Sequence, residues 1–393
     1  MKVKFRKSLK YLVTILLTVI VTLFCAFLLV GGDIRRISEQ TSLIKKVCTI
    51  DTKINKYALE FDADKDTVGD TIANSYLSLL KDDKYSAYFN EKELKERNLK
   101  KEGISDKSIG ITIATKSGEK YPIIVYVNRN CPAKKAGIIA GDKILKINNK
   151  SLKNKNIQQA ADYIKENETA NLLLKRNGKK VNVSVKLGEF TADSVIYRMI
   201  NKTCLIKITG FDDATVDQFD EAIKFAKKNK AKALIFDLRN NPGGYVESCA
   251  KILDRICPEG DLVKMRYKSG KQEVLFTSDN EEINMPMAVL INGNSASASE
   301  IFAMNIRDYN KGKLIGEKSF GKGIAQTTYE LGDSTAIKFT TETVIDKNGK
   351  TYHKKGLEPD IEVKFTEKQN ENYLFLTDKE DTQLQKALQE VNK

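Results

Sequence analysis

The 393-residue chain predicts a mixed α/β protein: an α/β body preceded by a smaller β-rich insert, a helical region ahead of both, and one membrane-spanning helix near the N-terminus. Three observations predict it. Two strand–corner–helix units recur in the C-terminal half, starting at Ala233 and Met287, each an apolar run, a Gly/Asn-rich corner and an amphipathic stretch. Residues 104–187 instead carry short β-type runs separated by turns, around one helical pattern. Tyr11 to Val30 is an unbroken apolar stretch, long enough to cross a bilayer as a helix.

With 41% hydrophobic and 30% charged residues, the bulk of the chain can bury a sizeable core. The net charge of +14 comes mostly from lysines scattered among acids, not from an arginine-rich stripe, which argues against nucleic acid as a partner. Six cysteines, Cys25, Cys48, Cys131, Cys204, Cys249 and Cys257, form no Cys-x-x-Cys pair. Neither a zinc site nor a disulfide framework is indicated, and buried small hydrophobes are the expected role.

Residues 1–10 contain Lys2, Lys4, Arg6, Lys7 and Lys10 with no acid, so the positive-inside rule places them in the cytoplasm and the chain beyond residue 30 outside. The span at 11–30 lacks an Ala-x-Ala end before Gly31-Gly32, which reads as an uncleaved signal-anchor at the cell membrane. Residues 33–102 read as a helical region: Ile44, Val47, Ile50 and Ile54, then Ile72, Tyr76, Leu79 and Leu80, recur at helical spacing around a turn at Asp82–Ser86.

Residues 103–189 predict strands at Ile109–Thr115 and Ile123–Val127, a helix over Ile157–Glu166, and a hairpin of Leu172–Lys175 with Val181–Leu187 around Asn177-Gly178. With Cys131-Pro132-Ala133-Lys134-Lys135-Ala136-Gly137-Ile138 and Ala140-Gly141-Asp142, this segment resembles a bacterial PDZ domain. The resemblance implies that Ile109, Gly110 and Ile111 cradle a peptide's C-terminal carboxylate on backbone N–H groups and extend the sheet edge with it. Ser108 stands where such domains usually have glycine.

Residues 190–366 form the body. Cys204–Thr209 predicts a strand and Val216–Asn229 a helix with Phe219, Ile223, Phe225 and Ala226 inward. Ala233–Leu238 predicts a strand, Arg239–Gly244 a corner and Tyr245–Ile256 a helix. The second unit sets Met287–Ile291, Asn292-Gly293-Asn294 and a helix over Ser295–Met304. Two such corners side by side offer free backbone N–H groups at helix starts, which suits an oxyanion. Leu314-Ile315-Gly316 follows as a short strand, and Ala336–Thr343 with Thr351-Tyr352 reads as a hairpin around Asn348-Gly349. The tail region, 367–393, reads as carrying a polar amphipathic helix over Thr377–Lys393 for packing or self-association.

His353 is the only histidine, which argues against Ser-His-Asp, Cys-His and most zinc hydrolases. A serine nucleophile without histidine can use lysine as its base. Lysine must then lose its charge near pH 7, a shift of about three units or roughly 4 kcal/mol that only a desolvated site supplies. Lys322, flanked by glycines in Ser319-Phe320-Gly321-Lys322-Gly323, can turn inward for that purpose.

Leu238–Gly244, Asn294-Ser295-Ala296-Ser297-Ala298-Ser299-Glu300, Ser319–Gln326 and Lys354–Asp360, in this order and preceded by the PDZ-like segment, resemble the carboxyl-terminal processing peptidases. These are tail-specific serine proteases with a PDZ domain inserted before a crotonase/ClpP-like core. The resemblance implies Ser297 as nucleophile, Lys322 as general base, Gln326 as the residue orienting that lysine, and oxyanion donors at Ala298 and at Gly243 or Gly244, with Asp308 in support. It implies an endopeptidase that takes protein or peptide C-terminal tails, needs neither metal nor cofactor, and self-associates as a homodimer through its terminal helical segments. Two other classes compete: a PDZ tether with an inert protease body, and a crotonase-type acyl-thioester enzyme, against which the membrane span and PDZ insert argue.

Overall fold

The computed structural model describes residues 41–80, 83–279, 281–332 and 334–393. The basic tail 1–10, the apolar span 11–30 with Cys25, and Asp82 of the predicted turn lie outside the described residues. Among the described residues no helix is long and apolar enough to cross a membrane. The chain divides into two compact units, 1–72 and 73–393. In the first, helix 41–57 carries its predicted stripe of Ile44, Ile50 and Ile54 exposed.

The second unit is built on a six-stranded sheet in the order Val195–Ile200, Thr203–Ile208, Ala233–Asp237, Met287–Ile291, Gly312–Gly316, Ile361–Glu362. All neighbours are parallel except the first pair. Parallel sheets are covered on both faces, so their strands read as continuous apolar runs, and side chains alternate between the two faces. Ile206, Leu234, Phe236, Val289 and Ile291 meet helices Asp213–Lys228, Val246–Asp254 and Ala298–Asp308 through Phe219, Ile252 and Phe302. Leu205, Ile235, Ala288 and Leu290 point the other way, onto Leu384, Ala387 and Val391 of the tail helix Thr382–Val391. The tail's apolar face is therefore covered by its own sheet. Arg239, 3% exposed, ties that tail to the first corner: it pairs with Asp237 and Asp381 at 2.8 Å each and donates to Gln383.

A second sheet joins Ala87–Phe89, Ala336–Ile345, Gly260–Tyr267 and Gln272–Ser278, with Ile324–Glu330 also paired to Ala336–Ile345. This corrects two expectations. The hairpin partner of Ala336–Ile345 is Ile324–Glu330, reached through Leu331–Thr335, not Thr351-Tyr352. Gly349 does turn the chain, but Tyr352 then enters the main hydrophobic cluster as a plug. The strand Ala87–Phe89 interrupts the region expected to be helical because its register on Ala336–Lys338 satisfies its backbone.

The PDZ-like part has strands Ile111–Ala114, Ile123–Val127, Lys143–Ile147, Thr169–Arg176 and Lys179–Lys186 in that spatial order, with helix Ile157–Lys165 started by an Asn156/Gln159 capping box. The predicted Asn177-Gly178 turn is present, with φ of 48° and 82°. Arg129 fixes this domain to the body: its Nε pairs with Asp193 at 2.8 Å and its guanidinium reaches Glu221 at 3.0 Å.

Candidate active site

The two predicted corners meet at the C-terminal ends of strands Ala233–Asp237 and Met287–Ile291. The Asn241 carbonyl accepts from Ala296 N–H at 3.1 Å and from Ser299 Oγ at 3.0 Å. Ser295 Oγ donates to the Leu238 carbonyl at 2.8 Å. Ser295 and Ser299 are thus buried stitches between the corners, and Ser297 is the one serine of the three with access to solvent.

Ser297 has φ 57° and ψ −117°, a conformation that costs a non-glycine residue on the order of 1–3 kcal/mol and persists only where its surroundings impose it. It stands at the end of the corner that leads from strand Met287–Ile291 into helix Ala298–Asp308, directly before the helix start. Gly243 packs so closely that a Cβ there would lie 2.6 Å from Ala296 O and 2.8 Å from Ser297 Cβ. Ala298 opens the helix, where N–H groups have no intrahelical acceptor. Gly243 N–H donates to Asn241 Oδ1 at 2.8 Å, while Gly244 lies against the Phe211 backbone in an isolated parallel bridge.

Lys322 arrives on the loop before strand Ile324–Glu330. Burial first, and then the like charge of Lys338, hold its pKa below the ordinary lysine value, with Asp83 and Glu300 opposing. Among the described residues no hydrogen bond joins Lys322 Nζ to Ser297. Its Nζ lies 4.1 Å from the centroid of the Tyr85 ring. Gln326 Nε2 donates to Thr340 Oγ1 at 3.0 Å, and among the described residues no hydrogen bond joins Gln326 to Lys322.

Glu300, fully buried, is the residue that sequence reasoning left without a role. Its Oε2 accepts from the backbone N–H of Ser297 at 2.9 Å and of Lys322 at 2.8 Å. Its Oε1 accepts from Ser319 Oγ at 2.6 Å and Gly321 N–H at 2.7 Å. One carboxylate thereby clamps the serine elbow to the lysine loop. The signal was present as Ser297-x-x-Glu300, the capping-box spacing at a helix start. His353 packs its backbone against Gly323.

Asp308 does not reach this centre. It ends the helix that Ala298 begins, and at about 1.5 Å of rise per residue it lies roughly 15 Å along the axis. In the PDZ-like domain Ile109 is buried in the core and Gly110 has φ 83°, with its N–H donating to Ser108 Oγ at 3.3 Å. Ile111 begins an edge strand whose one partner in the sheet is Ile123–Val127. The described cysteines are all unpaired, Cys131, Cys204, Cys249 and Cys257 buried and Cys48 exposed.

Residues 202–363 match the family described as peptidase family S41, and residues 123–176 match a PDZ domain. A probable CtpA-like serine protease of Staphylococcus aureus (strain COL) is 30% identical over 357 residues, covering 89% of this chain and 71% of its own. The chain belongs to peptidase family S41. It is a serine-type peptidase of the C-terminal processing kind. A probable CtpA-like serine protease of Staphylococcus haemolyticus is 33% identical over 286 residues, 72% of this S41 peptidase and 57% of that protein. Among solved structures, a putative S41 protease from Bacteroides fragilis superposes with a TM-score of 0.58 at 17% identity, covering 80% of this chain and 88% of that one. The photosystem II D1 C-terminal processing protease superposes with a TM-score of 0.50 at 21% identity, covering 83% and 93%. At these identities the two likenesses speak for the fold.

Proposed function

We propose that this S41 peptidase is a membrane-anchored endopeptidase working outside the cytoplasmic membrane, with Ser297 as nucleophile and Lys322 as its base. The observation that carries the reading is the strained backbone of Ser297, held by Glu300 to the loop that bears Lys322. Neutral Lys322 takes the Ser297 hydroxyl proton as Oγ attacks the scissile carbonyl, the oxyanion is received at Ala298 and the Gly243-Gly244 corner, and the amine leaves with the proton. Water then hydrolyses the acyl-enzyme. Gln326 orients Lys322 once the lysine leaves Tyr85. The free edge at Ile111–Ala114 receives an apolar C-terminal tail by strand addition, and the body is a crotonase/ClpP-like core that pairs into a homodimer.

The absence of a Lys322–Ser297 hydrogen bond favours a second reading, a PDZ tether with an inert protease body. One assay separates the two: the full chain, with Ser297→Ala and Lys322→Ala versions, acting on an unfolded protein with an apolar C-terminus. Cleavage by the parent and loss in both variants, with folding retained, is the expected result. Equal cleavage by all three overturns the dyad, and no cleavage by any favours the tether. Recovery of the full chain in washed cell membranes tests the anchor.

A further inference from the structure

Near Lys322 lie cations without carboxylate partners among the described residues. Arg97, on helix Glu91–Lys101, has its guanidinium carbon 5.5 Å from the centre of the Phe89 ring and 5.9 Å from that of Tyr245. Lys338 Nζ lies 5.4 Å from the same Phe89 centre, and Lys101 Nζ lies 5.8 Å from that of Tyr245. Tyr245 directly follows the Gly243-Gly244 corner, whereas Lys338 sits on the strand paired with the one that follows Lys322. Arg97 therefore lies between the oxyanion corner and the lysine strand.

Neither Arg97 nor Lys338 has a carboxylate partner among the described residues. Among the described residues, the one hydrogen bond Arg97 makes from its side chain is Nη2 to Thr328 Oγ1, at 3.0 Å. Asp83 is the acid that acts on Lys338, but its carboxylate already accepts from Ser86 Oγ at 2.6 Å and from Thr340 N–H at 2.8 Å. Burial and then Arg97 lower the Lys338 pKa, the mark of a cation confronting another cation. Two half-buried like charges framed by aromatic rings repel each other until an anion enters. The guanidinium fork keeps donors free for one.

We propose that Arg97 and Lys338 form a carboxylate-binding subsite beside Lys322, so that the peptide cleaved here is anchored by a carboxylate of its own. The subsite rests on the reading that substrate binds at Ser297 and Lys322. It does not need Ser297 or Lys322 to perform the chemistry. A carboxylate between the two cations gains charge-assisted hydrogen bonds and relieves their repulsion. The source of the carboxylate is either the chain terminus or an acidic side chain.

Binding on the full chain carrying Ser297→Ala tests this without turnover. Fluorescence anisotropy is read for three matched unfolded peptides: one with a free C-terminus, its C-terminal amide, and a version with Glu replaced by Gln. Loss of a charge-assisted contact worth about 1.5–3 kcal/mol corresponds to roughly 10- to 100-fold in Kd. Arg97→Gln or Lys338→Gln is expected to weaken the parent's preference for one carboxylate by that factor, any remainder belonging to the PDZ edge at Ile111–Ala114, while Arg97→Lys keeps part of it. An acid-over-amide preference that falls in these variants identifies the terminus, and a Glu-over-Gln preference that falls identifies the side chain. An unchanged preference in the Gln variants, or no preference in the parent, overturns the subsite. Cleavage by the Lys322→Ala chain would instead count against the dyad and leave this result standing.

Discussion

Replacing Glu300 by Gln is a one-atom change with a large expected effect. The carboxylate accepts four hydrogen bonds, two on each oxygen, and three of the donors are backbone N–H groups that cannot rotate away. A Gln side chain presents one carbonyl oxygen, so its amide nitrogen must face two of the four donors. If it faces Ser319 and Gly321, the Ser319 hydroxyl can turn and accept, but Gly321 N–H is orphaned. If it faces Ser297 and Lys322, both backbone donors are orphaned and the elbow separates from the lysine loop. At about 1–3 kcal/mol for each buried orphan, and more where the lost acceptor was charged, the cost is roughly 2–4 kcal/mol. Urea unfolding of parent and variant measures it, with kcat/KM determined on the same samples. We expect the unfolding midpoint to fall with an unchanged slope and kcat/KM to drop at least about tenfold, as misplaced catalytic groups cause. A variant within about 0.5 kcal/mol of the parent and equally active would refute the clamp.

The kcat of the parent should rise with pH through a Lys322 pKa below the ordinary lysine value, because only the neutral amine takes the serine proton. Lys338→Gln removes a like charge, so that limb should move to higher pH, and an unmoved limb in kcat–pH profiles would contradict the coupling. Arg239→Ala leaves Asp237 and Asp381 buried and should cost about 3–5 kcal/mol in chemical unfolding. Burial pushes the Asp237 carboxyl up, but Arg239 outweighs it and holds the carboxyl below its usual range. Its contribution is therefore present at neutral pH and lost as pH falls through that depressed value, and this acid-side loss should disappear in Arg239→Ala. Gly243→Ala places a methyl 2.6 Å from Ala296 O at φ 102° and should reduce kcat by about 100-fold with the fold retained by circular dichroism. Gly118→Ala, also at positive φ but with nothing within 4 Å, should leave kcat unchanged.

The parallel strands were legible because burial on both faces makes them unbroken apolar runs: Met287–Ile291 and Ala233–Asp237 fall where the residues predict. The two corners and their meeting were legible from glycine and serine chemistry, whereas the close approach of Gly243 to Ser297 appears only in the fold. Tyr352 misled because an aromatic after an Asn-Gly turn serves equally as a strand residue or a core plug, and only tertiary packing decides. The hairpin Gly260–Tyr267 with Gln272–Ser278 drew no prediction: its alternation is interrupted by the apolar pair Leu262-Val263 at a bulge and by the run Val274-Leu275-Phe276. Glu300 was hidden for a related reason: a helix-start acid ordinarily caps its own helix, and nothing local shows that its second oxygen reaches a loop about twenty residues away. Gln326 is the converse, a motif residue whose side chain is held by a neighbouring strand through Thr340.

Trapping the acyl-enzyme tests the central claim most directly. The full chain is mixed with an activated peptide ester, quenched in acid after short intervals, and the modified residue is located by mass spectrometry. The account predicts the acyl group on Ser297, none on the Ser297→Ala chain, and acylation slower by about 100- to 10,000-fold in Lys322→Ala, the range for loss of a general base. An acyl group on another residue, or equal acylation rates with and without Lys322, would contradict it.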